Sequence, residues 1–301
     1  MKIALQLFEA WKKHELRALS RLISMAENQD PSMLPVMAQV YALTGKARII
    51  GLTGAPGVGK STLVGAFIQR CRKEKQKVAV VAIDPMSPFT GGALLGDRIR
   101  LQDHFNDPDV FIRSLSTRGK LGGLSLATRE TVELLDGFGF DTILVETVGV
   151  GQSEVDVREL VQVTVVTLVP EWGDSVQALK SGIIEIGDVF AIHKSDREGA
   201  DRVSKDLAEA LQLGSHKDIP ILKTSQSDAK SLDGLFDTVM TLVAQRREKR
   251  TDSGAVTRKI LRAAFEKGLD EWLTKRKAPA GNPYQTAEEF LKKNSIDKLF
   301  S

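Results

Sequence analysis

A short apolar run at 48–52 ends in Gly54, Ala55, Pro56, Gly57, Val58, Gly59, Lys60 and Ser61, and a helix-forming stretch follows at once. Few folds accept that order of buried strand, glycine-rich turn, Lys-Ser pair and helix. Glycines let successive backbone N–H groups turn toward one point, and the following helix N-terminus adds partial positive charge. In this context G-x-x-x-x-G-K-S is a phosphate-binding loop. Lys60 is expected to reach the terminal phosphates and the Ser61 hydroxyl to bind Mg²⁺.

The rest of the chain fits a sheet built around that loop. Apolar runs recur at 78–83, 142–145, 162–169, 188–192 and 220–222, and helical stretches separate most of them. Buried strands alternating with helices predict an α/β fold with a mostly parallel sheet covered on both faces. Residues 1–45 carry Leu5, Phe8, Trp11, Leu16, Leu19, Leu22 and Ile23 at roughly helical spacing. Beyond about Leu242 the chain is polar and helical, with no strand signal. The expected organisation is a helical extension at 1–45, a nucleotide domain at 46–246 and a helical extension at 247–301.

Composition narrows the partners. The net charge is +3, which gives no reason to expect nucleic acid or a membrane surface. Cys71 is the single cysteine, so no intramolecular disulfide and no cysteine-based metal site can form, and a reducing cytoplasm suits the chain. The longest apolar runs are too short to cross a bilayer. Glu9 and Glu15 near the start argue against a transit peptide, and no signal-peptide apolar block is seen.

Mg²⁺ prefers oxygen ligands, one or two of them carboxylates beside the phosphates. Asp84 and Glu146 each end an apolar run, and the carboxyl ends of parallel strands face the ligand crevice. Asp97 lies in a glycine-rich stretch at 91–98. Glu146, Thr147, Val148 and Gly149 compare with an acid-x-x-Gly switch whose glycine N–H meets the terminal phosphate. Gln152 and Glu154 follow, and either could orient the attacking water. Arg118 and Arg129 are unranked candidates for a charge-stabilising arginine.

The segment His193, Lys194, Ser195, Asp196 follows another apolar strand, where guanine readers carry Asn-Lys-x-Asp. An aspartate there accepts from guanine's ring N–H and exocyclic amine, a donor pair that adenine lacks. The lysine stem packs on the base plane. His193 replaces the usual asparagine, which ties this loop to the phosphate loop. After the run at 220–222, Thr224 and Ser225 are placed to bring a backbone N–H toward guanine's carbonyl oxygen.

Together these residues resemble the MeaB/ArgK group of GTPases, the methylmalonyl-CoA mutase-associated proteins, within the metallochaperone-type GTPase superfamily. The matching stretches are GLTGAPGVGKSTL, AIDPMSPFTGGALLGDRIR, IRSLSTRGKLGGLS, ILVETVGVGQSE, GDSVQALKSGIIEIGD and the altered HKSD, in matching order over about 48–196. The resemblance implies a GTPase that chaperones an adenosylcobalamin-dependent acyl-CoA mutase, gating cofactor loading and protecting the enzyme. It implies a homodimer built partly through C-terminal helices. Carried over by motif, 54–62 including Thr62 bind phosphates, Ser61, Asp84, Asp97 and Glu146 surround Mg²⁺, and Lys194 and Asp196 hold guanine. Residues 173–188 resemble the segment that communicates the nucleotide state, with Asp174 and Lys180 its polar actors; Trp172 and Ser175 depart from that pattern. Alternatives are a nucleotide-dependent binding module with little hydrolysis, a metal-insertion GTPase of the same superfamily and an amino-acid transport kinase.

Overall fold

The computed structural model describes residues 2–84, 101, 104, 106–116, 126–147, 158–171, 183–213, 218–246, 257, 260 and 261. Residues Met1–Ser253 form one compact unit and Gly254–Ser301 a second. The second is helical at Thr257, Ile260 and Leu261.

The first unit opens with helices α1 (Lys2–Lys12), α2 (Leu16–Glu27) and α3 (Leu34–Tyr41). Strand β1 (Arg48–Thr53) and helix α4 (Lys60–Lys73) flank the glycine turn. Then come β2 (Val78–Asp84), β3 (Val110–Ser116), α5 (Leu126–Phe138), β4 (Thr142–Thr147) and β5 (Val163–Leu168). The unit closes with β6 (Val189–His193), α6 (Ala200–Leu213), β7 (Ile221–Thr224) and α7 (Ala229–Arg246). The strands form one sheet in the order β3-β2-β4-β1-β5-β6-β7, with every neighbouring pair parallel. Among the described residues no helix is long and apolar enough to cross a membrane.

Every apolar run expected to be a strand is one. β3 is the strand that the apolar-run reading misses. Arg113, Ser114 and Ser116 interrupt its apolar character, and among the described residues it lies at the sheet edge, paired only with β2. Its period is nevertheless two. Val110 and Ile112 pack with one face's core, whereas Phe111 and Leu115 pack with the other. Arg113 shares a face with Phe111 and Leu115, where Glu27 and the Ser24 hydroxyl of α2 take up its guanidinium.

The two faces of the sheet are covered differently. On one, Ile50, Leu52, Val80, Leu144, Val163 and Val189 meet Leu63, Phe67 and Ile68 of α4 and Leu235, Phe236 and Val239 of α7. On the other, Ala79, Val81, Ile143 and Val145 meet α5, and α1–α3 pack over α5 as a further layer. That explains why α5 is buried nearly all round: Ala127, Val132, Leu134, Leu135 and Phe138 are all inside. Gly137 lets this layer pack closely, because a Cβ there would lie 3.0 Å from the Trp11 ring, and the ring would have to give way by a few tenths of an ångström. Asp136 fastens the layer to β1. Its carboxylate accepts from the backbone N–H groups of Gly45, Lys46 and Ala47. Leu19, Leu22 and Ile23 are fully buried in this cluster, and truncating any one to alanine is expected to cost about 2–5 kcal/mol.

Candidate nucleotide site

Parallel strands bring their carboxyl ends to one edge, and there Thr53, Asp84, Thr147, Leu168, His193 and Thr224 end their strands. β1 is central: the chain leaves it toward β2 on one side, and from β4 it crosses to β5 on the other. Ligands bind at such a reversal point.

The glycine turn lies on that edge. Gly54, Gly57 and Gly59 have φ of 142°, 79° and 101°, a region that side chains strain to enter. Space adds a second requirement at two of them. A Cβ on Gly54 would lie 2.3 Å from the Thr167 carbonyl oxygen of β5, and one on Gly59 would lie 2.4 Å from Cδ2 of His193. Ala55 and Val58 close a small apolar contact with Val169 just past β5. Gly59 is the N-cap of α4 and supplies no side-chain cap. No Gly59 side chain competes for the first-turn N–H groups of α4, an arrangement that suits an anion at this end of the helix.

Lys60 is buried. Its ammonium donates to the carbonyl oxygens of Gly54 at 2.7 Å and Ala55 at 2.9 Å. Phosphate oxygens are stronger acceptors than neutral carbonyls and can draw the ammonium across. The Ser61 hydroxyl donates to Glu146 Oε1 at 3.0 Å, and both residues are buried. Register places Glu146 between Leu52 of β1 and Ala82 of β2. The Thr147 hydroxyl donates to that of Thr53 at 2.9 Å, closing the ends of β4 and β1. A hydroxyl beside a carboxylate at the mouth of a phosphate loop is an all-oxygen donor set, which suits a hard divalent cation. Asp84 ends β2, in register with Ser116. Its side chain, with Asp97, Gly149, Gln152, Glu154, Arg118, Asp174 and Lys180, lies outside the described residues.

Across the loop, β6 and β7 deliver the second half. His193 pairs in register with Thr224, and the Ser195 N–H donates to the Thr224 carbonyl at 3.0 Å. His193 is 2% exposed, with Nδ1 3.1 Å from the Thr224 hydroxyl. Burial pushes its pKa below the ordinary value, Lys194 adds to that effect and Asp196 opposes it. Lys194 has a φ of 58° and donates from Nζ to the Gly57 carbonyl at 2.9 Å. Asp196 is exposed and accepts from the Ser225 hydroxyl. That bond, followed by its own backbone N–H, holds its carboxyl below the usual range. The Ser225 N–H donates to the Ser231 hydroxyl at 3.1 Å.

Lys60, Ser61, Glu146, His193, Lys194, Asp196, Thr224 and Ser225 thus come to one edge from four strand ends. Sequence reasoning missed the supports beneath them. Thr53 and Thr147 lock two strand ends, Thr167 seats the glycine turn on β5, and Arg197 pairs with Glu171 across the next loop. Polar residues at strand ends were a signal for the threonines. Nothing local marks Thr167, whose contact is made by its backbone. Arg129 lies on α5, 3.9 Å from Glu133.

Residues 19–276 match the family described as Methylmalonyl Co-A mutase-associated GTPase MeaB. A protein of Pyrococcus abyssi named as a GTPase is 42% identical across 95% of each chain. The GTPase ArgK of Escherichia coli is 36% identical over 64% of this chain and 60% of its own. The mouse Methylmalonic aciduria type A homolog is 42% identical over 54% of this chain and 40% of its own. A solved structure described as a LAO/AO transport system kinase superposes with a TM-score of 0.64 at 22% identity, covering 97% of this chain and 92% of that one. The Helicobacter pylori HypB structure, in complex with nickel, gives 0.53 at 16% identity over 77% of this chain and 99% of that one. These two likenesses speak for the P-loop fold.

Proposed function

The chain belongs to the methylmalonyl Co-A mutase-associated GTPase family MeaB and is a P-loop GTPase, and from that premise we propose that it is a GTP-driven switch serving an adenosylcobalamin-dependent acyl-CoA mutase, gating cofactor loading and protecting that enzyme. The observation that carries the switch reading is the Ser61–Glu146 contact at 3.0 Å, which joins the phosphate loop to the start of the acid-x-x-Gly segment. A terminal phosphate that engages this pair also acts on the chain that follows Glu146.

Lys60 moves from the Gly54 and Ala55 carbonyls to the terminal phosphates and stabilises the charge that develops as water attacks in line. Backbone N–H groups of 57–62 hold the phosphates along the α4 N-terminus. Ser61 and Glu146, joined by Asp84 and Asp97, would hold Mg²⁺, which when bound neutralises phosphate charge. Asp196, with its carboxyl kept ionised by the Ser225 hydroxyl, receives guanine's N–H and amine, and the Lys194 stem covers the base. Gly149 reports the terminal phosphate, and 173–188 carries that report to the client. In this reading the helical stretch 247–301 forms a homodimer interface, and the protein works in the cytoplasm.

Phosphate release from GTP, measured alone and with an acyl-CoA mutase, tests the proposal. Slow release that changes when the mutase is added is the expected result. GTP binding without release under either condition would leave a nucleotide-dependent binding module, a second reading favoured by His193 standing where the family's pattern has asparagine.

A further inference from the structure

A side chain at position 193 has to connect two loops, and here the connection is a ring. The imidazole lies edge-on to Gly59, so closely that a Cβ there would be 2.4 Å from Cδ2 and 3.0 Å from Nε2. Its other nitrogen, Nδ1, is 3.1 Å from the Thr224 hydroxyl. The ring therefore spans the gap between the N-cap of α4 and the end of β7, with 2% of the residue exposed. An amide bridges such a gap with a short, rotatable group and directional bonds. An imidazole bridges it with a rigid ring that also fills volume.

What lies at the two ends of the ring matters. Gly59 precedes Lys60 and Ser61, so its position sets where the first N–H groups of α4 point. Thr224 precedes Ser225, whose hydroxyl holds the Asp196 carboxylate. Contacts run without a break from Gly59 through His193, Thr224 and Ser225 to Asp196. Lys194 adds a parallel tie, from its ammonium to the Gly57 carbonyl at 2.9 Å.

We propose that His193 is a positioning and specificity-determining residue: it sets the distance between the phosphate cradle and the base reader, so that guanine is read only with the phosphates seated. This rests on the reading of 193–196 as the base-reading segment. A base bond contributes discrimination only if it can form while the phosphates are held, and a displacement of about 1 Å between two such anchors is enough to cost on the order of a hundredfold. Burial keeps the ring neutral, which suits a bond to a hydroxyl that can donate or accept.

The test uses the full chain and two probes, GDP and inosine diphosphate, which lacks the exocyclic amine that Asp196 would accept from. Affinities are measured for the native protein, His193→Ala, His193→Asn and Thr224→Val. The native protein is expected to prefer GDP. His193→Ala is expected to lower GDP affinity about tenfold and to shrink the GDP-to-inosine diphosphate ratio several-fold. Thr224→Val should move the ratio in the same direction by less, and His193→Asn should restore part of it. General destabilisation would weaken both probes and leave the ratio in place. A folded His193→Ala or Thr224→Val protein that keeps the native ratio overturns the proposal, and Thr224→Val decides alone if His193→Ala does not fold. A native protein that binds GDP and inosine diphosphate equally overturns the base-reader reading and the proposal with it.

Discussion

The phosphate end of the site is made by one continuous stretch of chain, whereas the base end is assembled from two loops that are about thirty residues apart in sequence. At the phosphate end, three glycines with positive φ, Lys60 and Ser61 lie within eight residues that run from the turn after β1 into the start of α4. At the base end, Asp196 comes after β6 and Ser225 after β7, and each depends on the other for its position. The first end is local and follows its motif throughout. The second is tertiary, and it departs from its motif at His193. A local device depends on the residues of one short stretch. An assembled one can replace a member if the new side chain spans the same gap.

The comparison is tested first, and most severely, at Lys60. Lys60→Ala removes the charged donor to the terminal phosphates, and GTP affinity should fall by about a hundredfold or more in equilibrium titration, the loss of about 3 kcal/mol of charge-assisted bonding. Affinity within a few-fold of native would break the phosphate-end assignment. Glu146→Gln keeps the shape and an acceptor for Ser61 but removes a charge. Single-turnover hydrolysis is expected to slow by about a hundredfold with GDP binding little altered; unchanged hydrolysis would detach β4 from the phosphate end.

At the base end, Asp196→Asn should weaken GTP by roughly tenfold and favour xanthine nucleotides, which present a carbonyl acceptor where guanine presents its exocyclic amine. An unchanged base preference in competition binding would show that the second half of the site lies elsewhere. The smallest effect concerns pH. His193 has a folded pKa below its ordinary 6.5, so the neutral ring's contribution is complete above 6.5 and is lost as pH falls through the lowered value. Its charged neighbours act in opposite directions, Lys194 lowering it further and Asp196 raising it. GDP dissociation should accelerate as pH falls from neutral through the lowered His193 value. The acceleration should be absent in His193→Asn; identical pH profiles in the two proteins would make the ring a passive filler.

Much of the fold was legible before any coordinates. β1, β2, β4, β5 and β6 are apolar runs bounded by turns, because central parallel strands are buried on both faces and need no alternation, and the short edge strand β7 is readable through its apolar Ile221 and Leu222. β3 escaped because an edge strand accepts Arg113, Ser114 and Ser116, and its alternation becomes visible only when Phe111 and Leu115 are seen on one face and Val110 and Ile112 on the other. The N-terminal helices were readable as helices. Their role as a layer over α5, fastened by Asp136 to three backbone N–H groups some ninety residues earlier in the chain, was not.

By itself the sequence determined the phosphate loop, the strand ends that carry Asp84 and Glu146, and the family, since each of these is written in contiguous residues whose backbone conformations are locally dictated. Only the tertiary structure decided how the base end is held. It put Gly59 against the His193 ring, Thr224 against Nδ1 and Ser225 against Asp196. Those contacts depend on the register of β6 on β7 and on the seat of the glycine turn over β5, and pairings between distant segments leave no local pattern to read.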